Sequence, residues 1–140
     1  MEKLFPGEEI IITQYFDVHQ DWEVPIVGFF IVSAKRKLRS VADFTEAEAE
    51  EFIRLVMALR RGMTEVLNIK DVYLFQNEDT AHNFHLWIFP RHAWMESFGR
   101  KIESVRPILQ HAKVNMLDEE NFRNVRQAVK LLKEYMKSFK

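Results

Sequence analysis

The chain has 140 residues, 47% of them apolar and 29% charged, and a formal net charge of -1 at pH 7. This length and balance predict a single globular domain over residues 1–140, with enough chain to bury a core. The near-neutral charge, without a basic block, argues against nucleic acid as a partner. The sequence has no cysteine, no apolar run of about 20 residues that would span a bilayer and no basic-then-apolar leader. We therefore expect a cytoplasmic protein without disulfides.

The first third of the chain is predicted to be mostly strand. Residues 1–9 carry a Pro-Gly turn signal and predict an irregular lead-in. Residues 10–18 and 26–33 are rich in β-branched and aromatic side chains and predict two strands, separated by a polar loop at 19–25. Gly28 inside the second strand indicates a bulge or a close backbone approach. The basic residues that follow it favour a solvated turn: Lys35, Arg36, Lys37 and Arg39.

One long helix is predicted next, over about residues 45–67. Thr45 and Glu48 match a capping box, in which each side chain bonds the other residue's backbone N–H. Apolar residues then recur at helical spacing and predict a buried stripe: Phe52, Leu55, Val56, Leu59, Met63 and Val66.

The rest of the chain predicts a hairpin and then helices. Strands over 72–76 and 84–89 flank a polar turn and are expected to pair as a hairpin. After Arg91 the pattern is helical, with Pro107 expected to start or kink a helix and Asp118 to cap the last one. Strands with one helix between them, followed by helices, predict an α+β fold with an antiparallel sheet.

The stretch from His82 to Arg91 contains the candidate catalytic residues. Strand alternation places Phe84, Leu86 and Ile88 on an apolar core face. The opposite face then bears four other side chains: Asn83, His85, Trp87 and Phe89. A neutral imidazole at His85 is able to act as a nucleophile or base. A hydrogen-bonded structural histidine is the alternative.

These pieces, in their order and spacing, resemble the histidine triad family of nucleotide hydrolases and transferases. Its signature is His-φ-His-φ-His-φ-φ, with φ apolar, often followed by Pro-Arg. Counting back from Pro90-Arg91 places the middle, nucleophilic histidine on His85, the first on Asn83 and the third on Trp87. Upstream, Val24–Val32 is similar to the Pro-x-x-Gly-His strand, Lys35–Lys37 to the Lys-Arg-His turn and Asp43–Glu46 to the Leu-Thr-x-Glu helix start. The resemblance covers about residues 10–95 and leaves 96–140 as a helical extension.

The resemblance implies an enzyme that cleaves a phosphoanhydride or phosphoramidate bond at the α-phosphate of a nucleotide. His85 would attack the phosphorus and form a nucleotidyl-histidine, which water then hydrolyses. The implied substrate class is a dinucleoside polyphosphate, as in the diadenosine tetraphosphate hydrolases, and neither a metal nor another cofactor is required. Family members are commonly two-fold dimers, so the expected partners are a nucleotide and a second copy of the chain.

The donors expected to surround the substrate include two residues at triad positions and four others. Asn83 and Trp87 would flank His85 as catalytic donors, and the expected substrate contacts are Gln76, Thr80, His82 and Arg91. His82 is one residue out of register, so a regular strand turns it away from the site unless a bulge intervenes. Trp87 donates only through its indole nitrogen and cannot act as a general acid.

Three other interpretations remain open. His82, His85 and His92 are candidate metal ligands. A regular strand would place His82 and His85 on opposite faces, however, and no carboxylate or cysteine nearby completes the set. The depleted triad also fits a catalytically weak or inactive nucleotide-binding module. An interaction protein would use exposed aromatic residues as its surface: Trp22, Trp94 and Phe98. For Ile12, Phe16 and Ile31, core positions are favoured over a pocket for the base of the nucleotide.

Overall fold

The structure, a computed structural model, describes residues 3–140. Its strands are β1 (Glu9–Ile12), β2 (Phe16–Gln20), β3 (Phe30–Ala34), β4 (Val72–Phe75) and β5 (His85–Pro90). They form one antiparallel sheet in the order β1-β2-β3-β5-β4. The α-helices are α1 (Glu46–Leu67), α2 (Ile102–Asn115) and α3 (Glu119–Tyr135). The predicted α+β class, with one long helix between strands and further helices at the end, is confirmed.

The predicted single strand over residues 10–18 is wrong, because this segment is the hairpin of β1 and β2. The Thr13 N–H donates to the Phe16 carbonyl at 2.8 Å, and the Tyr15 N–H donates to the Glu51 carboxylate of α1 at 2.8 Å. Local β propensity cannot reveal this turn, since Glu51 lies 36 residues further along the chain. Of the predicted irregular lead-in, residues 3–8 precede β1 and residues 1–2 lie outside the described chain.

Strand β3 begins four residues later than predicted. Gly28 adopts a φ of 80° in the turn ahead of the strand, a conformation that glycine reaches without a Cβ clash. A side chain at this position would also collide with Ile69. Gly28 therefore lies in the turn before the strand, where the close neighbour is the Ile69 side chain and not another backbone.

The helix starts follow their capping residues. The Thr45 hydroxyl accepts from the Glu48 N–H at 3.1 Å, and the Glu48 carboxylate accepts from the Thr45 N–H at 2.8 Å, which confirms the capping box. Asp118 likewise caps α3 by accepting from the Asn121 N–H at 2.8 Å. Pro107 does not start a helix but lies inside α2. None of the helices within residues 3–140 combines the length and apolar content needed to cross a membrane.

The two faces of the sheet enter two separate apolar cores. Phe84, Leu86 and Ile88 pack on the face covered by α1 and α3, as the alternation along β5 predicts. On the opposite face, Phe89 packs with residues of α2 such as Ile108. This second core closes one end of that face, and a cleft occupies the part that bears the start of β5.

An ion pair ties the loop after β3 to the start of α1. The Arg36 guanidinium donates to both carboxylate oxygens of buried Glu48, at 2.8 and 3.0 Å, and to the Asp43 carbonyl at 2.8 Å. The hydrogen bond from Arg36 lowers the pKa of Glu48 from 4.5 to about 2. Arg36 therefore clamps the loop, whereas Lys35 and Lys37 are exposed as the predicted solvated turn requires.

We expect the free energy of unfolding of Glu48→Gln to fall less than that of the wild type as the pH is lowered. Because the pKa of Glu48 is lowered on folding, the stability that its charge provides is full above about pH 4.5 and is lost as the pH falls towards 2. Urea unfolding of both proteins between about pH 6 and about pH 3 should therefore show the wild-type advantage shrinking. Glutamine keeps the capping box, so an advantage that is constant with pH would contradict this role of the carboxylate.

Candidate active site

A cleft of about 440 Å³ opens on the sheet face that carries His85. Three sets of residues line it. The sheet contributes Ile31, Ser33, His85 and Trp87, the loop before β5 contributes His82, Asn83 and Phe84, and the end of β2 with its following loop contributes His19, Asp21, Trp22 and Glu23.

The imidazole of His85 is fixed in one tautomer. His85 is the first residue of β5, pairs with Ser33 of β3 and is half-buried. Its Nδ1 lies 2.9 Å from the backbone carbonyl oxygen of Asn83. Because a carbonyl oxygen only accepts hydrogen bonds, Nδ1 carries the ring proton in the neutral form and Nε2 keeps its lone pair. This arrangement leaves Nε2 free to act as a nucleophile or a base, through a carbonyl that the sequence alone did not identify.

The Asn83 side chain is occupied by backbone groups of the loop after β3. Its Oδ1 accepts from the Leu38 N–H at 2.7 Å, and its Nδ2 donates to the carbonyls of Ala34 and Arg36 at 2.8 and 3.1 Å. Both amide hydrogens are therefore used, and in this arrangement Asn83 has no free donor for a phosphoryl oxygen. The side chain instead fixes the position of the carbonyl that accepts from His85.

The loop before β5 brings His82 into the cleft. Because β5 begins only at His85, His82 does not follow the alternation of the strand, and no bulge is needed to turn it. The hydroxyl of Thr80 accepts from the His82 N–H at 2.8 Å and so shapes the loop. The ring centroids of His82 and His85 lie 6.2 Å apart, with their planes at 76°. Thr80 itself is not among the residues that line the cleft.

Trp87 lines the cleft on the same face as His85, two residues further along β5. Its ring packs edge-on against Phe29 and Phe75, with centroids 5.3 and 6.3 Å away. These contacts hold the indole in place. Its N–H is a hydrogen-bond donor but no source of a transferable proton.

Two predicted substrate contacts lie away from the cleft. The Gln76 side chain donates to two backbone carbonyls, at 3.0 and 3.2 Å, in the loops beside β4. Arg91 follows the last residue of β5, roughly 20 Å from His85 at about 3.3 Å per residue. Its guanidinium donates to the Gly99 carbonyl at 2.7 Å and to the Ser104 hydroxyl at 3.2 Å. Arg91 therefore secures the segment that leads into α2 and does not line this cleft.

The candidate metal ligands are not brought together. His92 lies beyond the far end of β5, where its Nε2 donates to the Val27 carbonyl at 2.6 Å and burial lowers its pKa. In the part of the chain that the structure describes, residues 3–140, no group of three or more His, Cys, Asp or Glu side chains is placed to hold a metal ion.

The wall formed by His19 and the residues after it was not predicted as part of the site. The ring of His19 stacks on Trp22, with centroids 4.6 Å apart and planes at 9°, and its Nδ1 donates to the Gln20 carbonyl at 2.8 Å. Asp21 accepts from two backbone N–H groups, at 2.9 and 3.0 Å, and burial raises the pKa of its carboxyl. The available signal was the strand pattern of residues 16–18, which continues through His19.

The remaining predicted aromatic and apolar positions divide between core and surface. Trp94 and Phe98 are half-buried against the second core, so they do not form the expected exposed aromatic surface. Phe16 is fully buried in the first core, as favoured, whereas Ile12 is 54% exposed. Ile31 belongs to the second core and also lines the cleft.

No protein-family profile and no curated protein matches the sequence. Solved structures do match. A zinc-bound histidine triad family protein from Mycobacterium smegmatis is similar with a TM-score of 0.59 at 18% identity, over 92% of this chain and 88% of that protein. A diadenosine triphosphate hydrolase from Plasmodium falciparum, in complex with cyclomarin A, is similar with a TM-score of 0.62 at 14% identity. The similarity covers 97% of this chain and 82% of that protein. A hypothetical histidine triad nucleotide-binding protein from Sulfolobus tokodaii is similar with a TM-score of 0.61 at 15% identity. The similarity covers 94% of this chain and 86% of that protein.

These likenesses extend over most of the chain and so go beyond residues 10–95, on which the sequence resemblance depends. Identities of 14–18% establish a shared fold and leave the chemistry to be argued from the residues of this cleft. The antiparallel sheet, the long helix α1 and the histidine at the start of β5 all agree with the expected family. The chain has the fold of the histidine triad proteins.

Proposed function

We propose that the chain is a nucleotide hydrolase in which His85 forms a nucleotidyl-histidine intermediate. The observation that supports this most directly is the 2.9 Å hydrogen bond from His85 Nδ1 to the Asn83 carbonyl, which leaves Nε2 as the nucleophile. The cleft of about 440 Å³ falls in the range of about 300–1,000 Å³ that small-molecule ligands occupy. The fold shared with a diadenosine triphosphate hydrolase supports the same class of reaction.

In the proposed reaction, Nε2 of His85 attacks the α-phosphorus and the bond to the leaving group breaks. The imidazole gains positive charge, so its hydrogen bond to the Asn83 carbonyl becomes charge-assisted and stabilises the intermediate. The indole N–H of Trp87 and the hydroxyl of Ser33, which is paired with His85 across the strands, are the nearby donors for the phosphoryl oxygens. Water then attacks the phosphorus and releases the nucleotide.

The proposed substrate is a dinucleoside polyphosphate or another nucleotide with a phosphoanhydride or phosphoramidate bond. Asp21 and Glu23 line the cleft from the loop after β2, and carboxylates accept hydrogen bonds from hydroxyl groups. This wall therefore suits the sugar hydroxyls, and the histidines suit the phosphoryl group. Thr80 acts through the loop that presents His82 and is not proposed to touch the substrate.

A nucleotide-binding module with little or no turnover is the second candidate function. The tryptophan at position 87 favours the binding module, because an indole cannot protonate a leaving group as an imidazole would. The two candidates share the same ligand and the same cleft. They differ in whether the bond at the α-phosphate is broken.

We also propose that the chain forms a homodimer in the cytoplasm. Strand β4 is at the edge of the sheet, and Leu74 on it is 51% exposed. Ile53 and Met57 on α1 are 54% and 44% exposed. An open strand edge with exposed apolar side chains suits pairing with a second copy.

The homodimer proposal predicts a dimer mass in sedimentation equilibrium that Leu74→Lys shifts towards the monomer. A charge on an edge strand opposes pairing with another strand. Ile102→Lys is a matched control, since Ile102 is also exposed but lies at the start of α2. A monomeric wild type would contradict the proposal, as would equal effects of the two substitutions.

The central test is turnover of a panel of dinucleoside polyphosphates by wild type and His85→Ala. Wild type should release a mononucleotide, and the variant should lose about 10⁴-fold or more in kcat while still binding nucleotide. Mass spectrometry of protein denatured at neutral pH during turnover should show a nucleotidyl adduct on the peptide that contains His85. The control is His111→Gln, because His111 lies on α2 and outside the cleft.

Two results would decide against hydrolysis through His85. If wild type and His85→Ala both bind nucleotide and neither turns it over, the chain is a binding module. If both turn it over at the same rate, the nucleophile lies elsewhere.

We expect Asn83→Ala to slow formation of the nucleotidyl adduct by about 10- to 100-fold, with a smaller effect on nucleotide binding. The substitution removes three hydrogen bonds that position the carbonyl behind His85, and a displaced catalytic group costs about this much. Single-turnover kinetics measures the adduct, and nitrogen NMR of the imidazole reports the tautomer. An unchanged rate together with an altered tautomer ratio would show that this carbonyl is not needed.

A further inference from the structure

We propose that His82 is the proton donor to the leaving group and the base that later activates water. This assignment rests on the proposed nucleotidyl transfer to His85. It gives the loop before β5 a catalytic role that position 87, a tryptophan, cannot perform.

The separation of the two imidazoles suits this division of work. In an in-line displacement the nucleophile approaches within about 3–3.5 Å of the phosphorus, and the acid lies within about 2.6–3.2 Å of the leaving atom. With the bond of about 1.6 Å from phosphorus to the leaving atom included, the nucleophile and the acid are then about 6–8 Å apart, with one phosphoryl group between them. The rings of His82 and His85 have centroids 6.2 Å apart and both face the cleft.

The other titratable groups of the cleft are less well placed. The backbone N–H of Asp21 donates to the carbonyl of Phe29, which lies just before β3 and four residues before Ser33, the partner of His85. This offset is about 13 Å along the strands. His19 is buried, stacked on Trp22 and already donating through Nδ1. His82 is exposed apart from its contacts in the loop, so its ring is able to adjust to the position of a leaving atom.

The proton balance of the proposed cycle is complete with these two histidines and water. In the first step, the Nε2 lone pair of His85 forms a bond to phosphorus, the bond to the leaving atom breaks with its electron pair, and protonated His82 donates a proton to that atom. In the second step, neutral His82 takes a proton from the attacking water. The oxygen–phosphorus bond forms, the phosphorus–nitrogen bond breaks, and its electron pair returns to Nε2. His82 is then protonated again and His85 is neutral.

The test compares two leaving groups on the same nucleoside. Adenosine 5′-(p-nitrophenyl phosphate) releases a stable phenolate that needs no proton, whereas an adenosine 5′-(N-alkylphosphoramidate) must release a protonated amine. We expect His82→Ala and His82→Gln to lower kcat/KM for the phosphoramidate by about 10²- to 10⁴-fold and for the nitrophenyl ester by less than about tenfold. His85→Ala should abolish turnover of both, and His111→Gln should change neither.

Two results would overturn the assignment of His82 itself. Equal losses on both substrates would make His82 a binding or positioning residue, and unchanged rates on both would remove it from the reaction. Failure of the proposed function gives a different pattern, in which wild type and both His82 variants bind adenosine 5′-monophosphate but cleave neither substrate. Because His82 is exposed, its replacement leaves both cores intact, and thermal unfolding of the variants checks this.

Discussion

The hydrogen bonds from the Asn83 side chain to the loop after β3 are the constraint on which the geometry of the cleft depends. They hold the residue two positions before His85, so that its carbonyl meets the imidazole. The ion pair of Arg36 and Glu48 fixes the same loop to α1. Neutral hydrogen bonds contribute only about 0.5–1.5 kcal/mol each. Their larger effect here is to set the orientation and tautomer of one ring, because a network that is fully satisfied has a single arrangement.

Because its side chains alternate, strand β5 places one face in the core and the other in the cleft. Phe84, Leu86 and Ile88 fill the core under α1 and α3, and His85 and Trp87 face the cleft. The second core covers only part of that face, which leaves room for a ligand beside a rigid strand. A site on a strand is held more precisely than one on a loop. His82, on the loop before β5, is exposed and less constrained by packing.

Local patterns predicted the elements and their faces, but not the contacts between distant segments. The capping box at Thr45 and the alternation along β5 depend on neighbouring residues, and both were correct. The turn after β1 depends on a carboxylate of α1, and the role of Asn83 depends on carbonyls 47 and 49 residues away. That Arg91 lies beyond the far end of β5, outside the cleft, could not be read from the motif, which gives sequence order and not distance along a strand. The position of His82 followed from where β5 begins, which propensity leaves uncertain by a residue or more.

The pairing of β3 with β5 also determines when the cleft forms. β1, β2 and β3 join through short connections, as do β4 and β5, so each group closes small loops. Ser33 and His85 meet only after a loop of about 50 residues, including α1, has closed, and such closure costs more entropy. Contacts between residues far apart in sequence slow folding. The cleft around His85 is therefore expected to form late in folding, in a chain whose β3 and β5 have already paired.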